Sequence, residues 1–271
     1  MTEPLTSSLW LKNNLGHSEL IILDASQKSN QADLKSDFEN TQIKGARFFD
    51  LKNDFSDQHS EFPNTLPDIK QFEFGCRKLG INTSSKIVVY DNLGIYSSPR
   101  AWWMFKIMGH ENVSVLNGGL PDWKSQGYET VERENHAFKR GDFEAKFQPE
   151  MVKDYMFIVS NLNTQIALVI DARSTDRFNG IAPEPRKGLK SGHIPNSLNI
   201  PYHIVLEQGS YKSKTELTEL FNDLKTGDRP LVFSCGSGVT ACIVLLACEL
   251  ILKNEKSVYD GSWTEWAQLE N

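Results

Sequence analysis

Short apolar runs alternate along this chain with longer segments of helical pattern. The runs are dominated by Val, Ile, Leu and Phe, which favours buried strands. The strand-like runs are 20–23, 86–90, 167–170 and 231–233, and helical patterns follow two of them at 99–108 and 241–252. Strands that alternate with helices are typical of parallel sheets. We therefore predict an α/β fold in which mostly parallel sheets carry helices on both faces.

The pattern occurs twice in the chain. The matching pairs, in the same order in each half, are Asp24 and Asp171, Gly94 and Gly238, and Trp123 and Trp266, at offsets of 147, 144 and 143 residues. Because the offsets drift by so little, we predict a duplicated domain. The predicted ranges are 1–127 for the N-terminal domain, 128–157 for a linker and 158–271 for the C-terminal domain.

The predicted linker is rich in charge, yet it also contains regularly spaced apolar side chains. Phe143, Ala145 and Phe147 alternate with Glu144 and Lys146. Such alternation is typical of an extended segment with one buried side. We therefore expect this linker to pack across the protein surface, unlike a flexible tether.

Charge and composition narrow the function classes. The net charge of −6, from 29 basic and 35 acidic residues, lacks the basic character needed to bind nucleic acid phosphates. The apolar run 241–252 is too short for a membrane span, which needs about 20 residues. Residues 1–5 lack the basic and apolar regions of a secretory signal. We expect a cytoplasmic protein that binds neither nucleic acid nor membranes.

The cysteines point to chemistry at one position. Four cysteines without a CxxC pair favour reduced thiols over a disulfide framework or a zinc site. Cys235 follows the buried run 231–233 and precedes Gly236 and Gly238, after which a helix is predicted from about residue 240 or 241. Glycines in such a loop let successive N–H groups face an anion, and the helix dipole adds positive potential. This setting favours the thiolate form of Cys235 and makes it a candidate nucleophile.

Two alternatives apply to this loop. A free cysteine is commonly a small buried hydrophobe, which is the interpretation we adopt for Cys242 and Cys248. Tyrosine phosphatases also place a cysteine between a strand and a helix, but they need an arginine six residues later to hold the phosphoryl oxygens. Ala241 occupies that position, or Cys242 if the loop is one residue longer, so phosphate transfer is disfavoured.

The duplicated halves, with this cysteine in the second half only, resemble the two-domain rhodanese-like sulfurtransferases. Residues 235–240 are similar to the loop of the 3-mercaptopyruvate branch, whereas the thiosulfate branch usually carries basic residues at the positions of Gly236 and Ser237. A dianion such as thiosulfate rewards cations in the loop, while mercaptopyruvate has one carboxylate that can be held elsewhere. The resemblance implies tandem rhodanese-like domains, the second of them catalytic.

The resemblance also implies roles for particular residues. Cys235 and Ser237 are the expected catalytic residues. Arg177 and Arg186 match two arginines that hold the substrate's carboxylate and keto group, which suits the forked guanidinium. The alternative is that both arginines form surface ion pairs with Asp176 and Glu184. The other expected substrate-binding residues, through their backbone amides, are Gly236, Gly238, Val239 and Thr240.

Some family positions are not retained. The 3-mercaptopyruvate branch is thought to use a relay of serine, histidine and aspartate, and here the histidine position is Asn64 while the aspartate position is Lys52 or Asn53. His59 and Asp54 lie nearby and could substitute through a shifted loop. In the first half Asp91 takes the cysteine position, so that loop cannot carry a persulfide. Tyr96 is a weaker candidate for the substrate cleft, since such aromatic residues are more often core.

These expectations combine into one functional hypothesis. Cys235 would accept sulfur from 3-mercaptopyruvate as a persulfide and pass it to a thiol, a thioredoxin-like protein or cyanide, with no metal or organic cofactor. One alternative is a thiosulfate sulfurtransferase that uses the same cysteine. The other is a weakly catalytic, persulfide-carrying interaction module, which the missing relay residues suggest.

Overall fold

The parallel sheets expected from the sequence are present in both halves of the chain. The computed structural model describes residues 3–134, 136–222, 224 and 226–270. These form two compact units. Unit 1 comprises Met1–Gln58, Leu66–Gln148 and Gln208–Tyr211, and unit 2 comprises His59–Thr65, Pro149–Glu207 and Lys212–Asn271. The outermost positions of the predicted domains, and part of the 1–5 stretch considered for a signal, lie outside the described residues.

The elements of the first half follow one another in a strand and helix alternation. The strands are β1 (Leu5–Thr6), β2 (Leu20–Asp24), β3 (Thr41–Ile43), β4 (Arg47–Phe48), β5 (Lys86–Tyr90), β6 (Val113–Leu116) and β7 (Thr130–Glu132). The helices are α1 (Ser8–Asn14), α2 (Ile69–Lys78), α3 (Ser98–Ile107) and α4 (Gly119–Ser125).

The second half continues the alternation. Its strands are β8 (Val152–Lys153), β9 (Leu168–Asp171), β10 (Leu198–Asn199), β11 (Leu206–Glu207), β12 (Ser210–Tyr211), β13 (Leu231–Ser234) and β14 (Lys256–Tyr259). Its helices are α5 (Tyr155–Thr164), α6 (Thr175–Phe178), α7 (Lys214–Asn222), α8 (Ala241–Glu249) and α9 (Ser262–Leu269), with short 3₁₀ turns at Pro149–Met151 and Tyr202–Val205.

The two five-stranded sheets share one topology. The strand order is β1-β6-β5-β2-β4 in unit 1 and β8-β14-β13-β9-β10 in unit 2, and neighbouring strands pair in parallel. Corresponding strands of the two halves therefore occupy the same positions in their sheets. The predicted fold class is therefore confirmed, and the repeated topology explains why the two halves match at nearly constant offsets.

The central strand of each sheet delivers the loop of interest. β5 lies between β2 and β6, and β13 lies between β9 and β14, so both are covered on each side by other strands. All four residues of β13 are buried, as a strand in the middle of a covered parallel sheet requires. The helix that follows, α8, has buried residues on every face from Ala241 to Cys248. A buried strand and a buried helix thus fix the loop between them at both ends.

The segment predicted as a linker contributes to both units. Residues 130–132 form β7, which pairs antiparallel with β3, and the Phe143 side chain is fully buried against Phe72 and Phe105 in unit 1. Phe147 is 37% exposed. Farther on, β8 joins the edge of the unit 2 sheet through β14. Among the helices that the structure describes, none has both the length and the apolar character that crossing a membrane requires.

Candidate functional site

Cys235 lies at the carboxyl end of β13, directly before a short loop that leads into α8. Residues 235–240 are called the Cys235 loop below. Cys235 is only 2% exposed, and β13 holds it in place because Ser234 is in register with Asp171 at the end of β9. Ligands bind at this edge of open parallel sheets, so the position fits the expected nucleophile.

Residues in the first turn of α9 form hydrogen bonds with the backbone groups at the start of the Cys235 loop. Ser262 Oγ accepts a hydrogen bond from the Cys235 N–H at 3.3 Å, and the Trp263 N–H donates to the Cys235 carbonyl at 2.9 Å. The Gly236 carbonyl accepts from both the N–H (3.1 Å) and the hydroxyl (2.6 Å) of Thr264. These bonds hold the two carbonyls toward α9 and therefore away from the inner side of the loop.

The amides farther along the loop are available to a ligand. The N–H groups of Ser237, Val239, Thr240 and Ala241 donate to no acceptor among the residues that the structure describes. Gly238 has a φ of +77°, the left-handed conformation that favours glycine and turns the chain here. Buried N–H groups are rarely left unpaired in a folded protein. Their presence at the start of α8 makes this loop a candidate anion-binding site.

The matching loop in unit 1 shows what such amides hold. At the 144-residue offset Asp91 takes the place of Cys235, and its side chain is fully buried. Its Oδ2 accepts hydrogen bonds from the N–H groups of Tyr96, Ser97 and Ser98, at 2.9 to 3.0 Å, and from the Ser98 hydroxyl at 2.7 Å. The first-half loop is thus filled by its own carboxylate, whereas the second-half loop has a cysteine at the matching position.

Two guanidinium groups flank the Cys235 loop. A Cβ built on Gly236 would lie 3.1 Å from Arg177 Nη2 and 3.7 Å from Arg186 Nη1. The structure therefore brings together Cys235, Gly236 and both arginines that the sequence singled out. Positive charge at this distance favours a bound carboxylate or a thiolate.

Arg177 is held by a buried carboxylate. Its Nε and Nη2 donate to the two oxygens of Glu184 at 3.2 and 2.5 Å, and the Glu184 side chain is 2% exposed. The pairing with Glu184 considered as an alternative is therefore present, but it is buried and orients Arg177 beside Gly236.

Arg173 anchors the same carboxylate from the other side. It donates to Glu184 at 2.7 Å and to both oxygens of Asp171, and its guanidinium lies over the Trp263 ring at 4.3 Å. Burial by itself would lower the pKa of the Arg173 guanidinium, but the Asp171 and Glu184 carboxylates together raise it. Arg173 is thus a fixed cation that links the end of β9 to α9.

Arg186 reaches the other side of the loop. Its Nη2 donates to the Ser237 hydroxyl at 3.1 Å, and its Nη1 donates to Thr264 Oγ1 at 3.2 Å. Both acceptors are uncharged hydroxyl groups. These bonds hold the Arg186 guanidinium beside the Cys235 loop.

Ser237 has a second polar neighbour that sequence reasoning did not assign to the site. Asn64 Nδ2 lies 2.8 Å from Ser237 Oγ and 3.5 Å from the Ser237 carbonyl oxygen. Asn64 belongs to the stretch His59–Thr65, which lies in unit 2 with the Cys235 loop. Position 64 is where the resemblance to the family implies a histidine. In this chain the Asn64 side-chain amide occupies that position.

The remaining candidates have other surroundings. Asp54 forms an exposed ion pair with Lys78, and His59 is exposed. Tyr96 is buried in unit 1, where its amide donates to Asp91. Thr264 and Ser262 were not predicted as site residues, although the repeat that pairs Trp266 with Trp123 places them in the matched segment. Within the parts of the chain that the structure describes, no group of three His, Cys, Asp or Glu side chains could hold a metal ion.

Comparison with known proteins agrees with this geometry. The family model for the Rhodanese-like domain matches residues 7–126 and 158–269. The chain is 38% identical to thiosulfate/3-mercaptopyruvate sulfurtransferase 2 of Arabidopsis thaliana, over 99% of this chain and 85% of that protein. It is 39% identical to 3-mercaptopyruvate sulfurtransferase of Mus musculus, over 97% of this chain and 91% of the mouse protein.

A solved structure extends the similarity to three dimensions. The crystal structure of SseA from Escherichia coli, described as a 3-mercaptopyruvate sulfotransferase, superposes with a TM-score of 0.86 at 35% sequence identity. The match covers 97% of this chain and 99% of SseA. The chain therefore belongs to the Rhodanese-like domain family of sulfurtransferase enzymes, with the domain in two tandem copies.

Proposed function

We propose that this protein is a 3-mercaptopyruvate sulfurtransferase that works through a persulfide on Cys235. The observation that carries the proposal is the contrast between the two matching loops. Asp91 fills the first loop with a carboxylate, while the second loop presents Cys235, unpaired amides and two guanidinium groups. The names of the relatives support the same donor.

The first half-reaction moves sulfur from the donor to the enzyme. The Cys235 thiolate attacks the sulfur of 3-mercaptopyruvate, so that an S–S bond forms and the donor's C–S bond breaks. The electron pair of the broken bond becomes a pyruvate enolate, which takes up a proton and leaves as pyruvate. Arg177 and Arg186 hold the donor's carboxylate and keto oxygen, and the amides from residue 236 to 240 stabilise the charge that develops.

The second half-reaction returns the enzyme to its starting state. The thiolate of an acceptor, either a small thiol or a reduced thioredoxin-like protein, attacks the outer sulfur of the Cys235 persulfide. A new S–S bond forms on the acceptor, and the electron pair of the cleaved bond restores the Cys235 thiolate. Cyanide can take the same sulfur as thiocyanate.

Intact mass measurement tests the first step directly. The wild-type protein, incubated with 3-mercaptopyruvate, should gain one sulfur atom and release one pyruvate. The Cys235→Ser variant should gain none, whereas Cys242→Ser, which changes a buried cysteine of α8, should behave as wild type. Sulfur uptake by Cys235→Ser, or no uptake by wild type from any donor, would overturn the proposal.

Thiosulfate is the competing donor. Two guanidinium groups beside open amides also suit a dianion, and the Arabidopsis relative is named for both donors. We expect kcat/KM to be at least about tenfold higher with 3-mercaptopyruvate, because Gly236 and Ser237 add no cation to the loop. Equal or faster turnover of thiosulfate would reassign the donor and leave the cysteine chemistry intact.

The same measurements separate an enzyme from a binding module. An enzyme must lose the added sulfur when a thiol or cyanide is supplied, and it must do so over many cycles. A persulfide that forms but is discharged by no acceptor would identify a persulfide-carrying interaction protein.

A further inference from the structure

We propose that Asn64 is a positioning residue that fixes the Ser237 hydroxyl as a hydrogen-bond donor toward sulfur bound in the Cys235 loop. The inference rests on the proposed sulfur transfer. It adds that Asn64 sets the direction of the Ser237 hydroxyl proton near the reacting atoms. Asn64 and Ser237 are 173 positions apart in the sequence, and their side chains meet at 2.8 Å within unit 2.

The orientation of the Asn64 amide follows from its surroundings. Its Nδ2 faces two acceptors, the Ser237 hydroxyl oxygen and, at 3.5 Å, the Ser237 carbonyl oxygen. An amide oxygen in that place would face a carbonyl oxygen and repel it. The nitrogen therefore occupies this position, and Asn64 donates to Ser237.

Ser237 Oγ receives a second donor from Arg186 Nη2 at 3.1 Å. A hydroxyl oxygen has two lone pairs, and both are then engaged by groups that can only donate in this arrangement. The hydroxyl proton must therefore point elsewhere. Ser237 is 94% buried and belongs to the Cys235 loop. In the proposed arrangement its hydroxyl proton points to the inner side of that loop.

Neither partner can take the proton from Ser237. The Nδ2 of an amide is not a base at neutral pH, and the Arg186 guanidinium is always protonated in proteins. Ser237 is therefore a stationary hydrogen-bond donor, which lowers the energy of negative charge on sulfur or on the departing enolate. A histidine at position 64 would instead offer a group that titrates near neutral pH.

The backbone around Asn64 is built to hold the amide in place. Asn64 has a φ of +62°, a left-handed conformation that asparagine tolerates better than most residues. The turn is closed by a hydrogen bond of 2.8 Å between the Ser60 and Thr65 hydroxyls, and the Thr65 hydroxyl donates to the Phe62 carbonyl at 2.8 Å. Both bonds restrict the position from which the amide reaches Ser237.

The central test is Asn64→Asp. Aspartate keeps the shape and tolerates the left-handed backbone, but it accepts a hydrogen bond where asparagine donates one. The Ser237 hydroxyl should turn toward it and away from the bound sulfur. We expect persulfide formation, measured by stopped-flow detection of pyruvate release, to slow by about 100-fold, at the lower end of the range for loss of one oriented donor.

Asn196 offers a matched control. It is also in unit 2, has a φ of +64°, and donates from its exposed side chain to the Leu162 carbonyl at 3.4 Å. Asn196→Asp makes the same chemical change in the same backbone conformation, and it should keep the rate within about twofold of wild type, as surface substitutions usually do. Equal rates for Asn64→Asp and Asn196→Asp would overturn the inference.

A double-mutant cycle shows whether Asn64 acts through Ser237. In a Ser237→Ala background, Asn64→Asp should cause little further loss, because the hydroxyl that it redirects is gone. A full additional loss in that background would mean that the new carboxylate acts by its charge alone, which contradicts a positioning role.

The pH profile gives a second readout that a purely structural role would not produce. Asn64→His should add one inflection between about pH 5.5 and 7.5 to the rate of persulfide formation, since imidazole titrates in that range. The wild type and Asn196→His should lack the added inflection. A profile for Asn64→His that parallels wild type would show that position 64 is not coupled to the reacting atoms.

Alkylation of Cys235 by iodoacetamide separates this inference from the proposed function, because it needs no sulfur donor. If no donor forms a persulfide on wild type, the sulfurtransferase assignment fails, and the same cycle is measured as alkylation rates. A change of at least about threefold for Asn64→Asp that disappears in the Ser237→Ala background would support the positioning role; an unchanged rate would overturn it.

Discussion

At the scale of single residues, Glu184 shows how the site is held together. Its buried carboxylate receives hydrogen bonds from both Arg173 and Arg177, so it joins the fixed cation behind the loop to the cation beside Gly236. If this carboxylate lost its charge, Arg177 would lose its carboxylate partner and Arg173 would keep only Asp171, which is costly in a medium of low dielectric constant.

Glu184→Gln should therefore destabilise unit 2 and displace Arg177. We expect a loss of about 3 kcal/mol in the free energy of unfolding, measured by urea titration, because one partner of a buried ion pair has been removed. The KM for 3-mercaptopyruvate should rise as well. Glu219→Gln changes an exposed glutamate of α7 and should alter neither quantity. If Glu184→Gln were as stable as wild type, the ion pairs of Glu184 with Arg173 and Arg177 would not contribute to the stability of unit 2.

We expect His110 to make the stability of unit 1 depend on pH. It is buried, with its ring 5.6 Å from Phe143 and 5.8 Å from Phe105, and burial lowers the pKa of its imidazole. The folded state then binds a proton less readily than the unfolded chain does. Stability is retained above the ordinary pKa of about 6.5 and is lost as the pH falls from there toward the lowered value.

The expected loss is up to about 1.4 kcal/mol for each pH unit within that window. Urea unfolding at pH 7.5, 6.5 and 5.5 should show the slope in wild type and a smaller slope in His110→Phe, which keeps an aromatic ring without a titrating group. His17→Gln, at an exposed histidine, should keep the wild-type slope. Identical slopes for all three proteins would contradict the lowered pKa of His110.

At the scale of elements, the unit 1 loop between β5 and α3 depends on Asp91. Asp91→Ala removes the acceptor of four backbone N–H groups and one hydroxyl, most of them buried. We expect a loss of about 3 kcal/mol in stability, because unsatisfied buried donors are expensive. Formate should restore part of the loss by entering the vacated place, which differential scanning fluorimetry would detect.

The control for this prediction is Asp37→Ala, at an exposed aspartate of the same unit. It should change neither the stability nor the response to formate. If formate shifts the melting temperature of wild type as much as that of Asp91→Ala, then the anion binds elsewhere and Asp91 does not stand in for a ligand.

The elements that sequence reasoning predicted are those with strong local patterns. The run 231–233 belongs to β13 and the apolar pattern from 241 contains α8, because a strand or helix buried on all sides must be apolar throughout. The loop between them was therefore located from the sequence. The buried Phe143 also agrees with the alternation seen in 143–147.

The contacts that complete the candidate site could not be predicted in this way. Thr264 reaches the Gly236 carbonyl from α9, and Asn64 reaches Ser237 from a turn in the first half of the sequence. Neither residue belongs to a periodic pattern, and both contacts depend on where the sheet and the loops place distant segments. The sequence could indicate only that position 64 departs from the family, while the structure shows the amide that is used there.

At the scale of the whole molecule, the same fold occurs twice, with Asp91 in the loop of the first copy and Cys235 at the matching position of the second. The two sheets share one strand order, and on this scaffold the first loop holds the Asp91 carboxylate. The net charge of −6 does not by itself exclude an anionic donor, since Arg177 and Arg186 lie beside Gly236 where β13 ends. At short range, charges close to the loop act more strongly than the net charge of the molecule.

The distribution of thiols over the molecule yields a last prediction. Burial raises the pKa of the Cys76 and Cys248 thiols, and Cys242 Sγ donates a hydrogen bond to the Gly238 carbonyl at 3.3 Å. Cys235 instead begins the loop in which several amides have no acceptor among the described residues. In native protein, iodoacetamide should label Cys235 at least about 100-fold faster than the other three cysteines. In urea it should label all four. Peptide mapping measures the labelling at each cysteine. A second rapidly labelled cysteine in native protein would mean that rapid alkylation does not depend on the Cys235 loop.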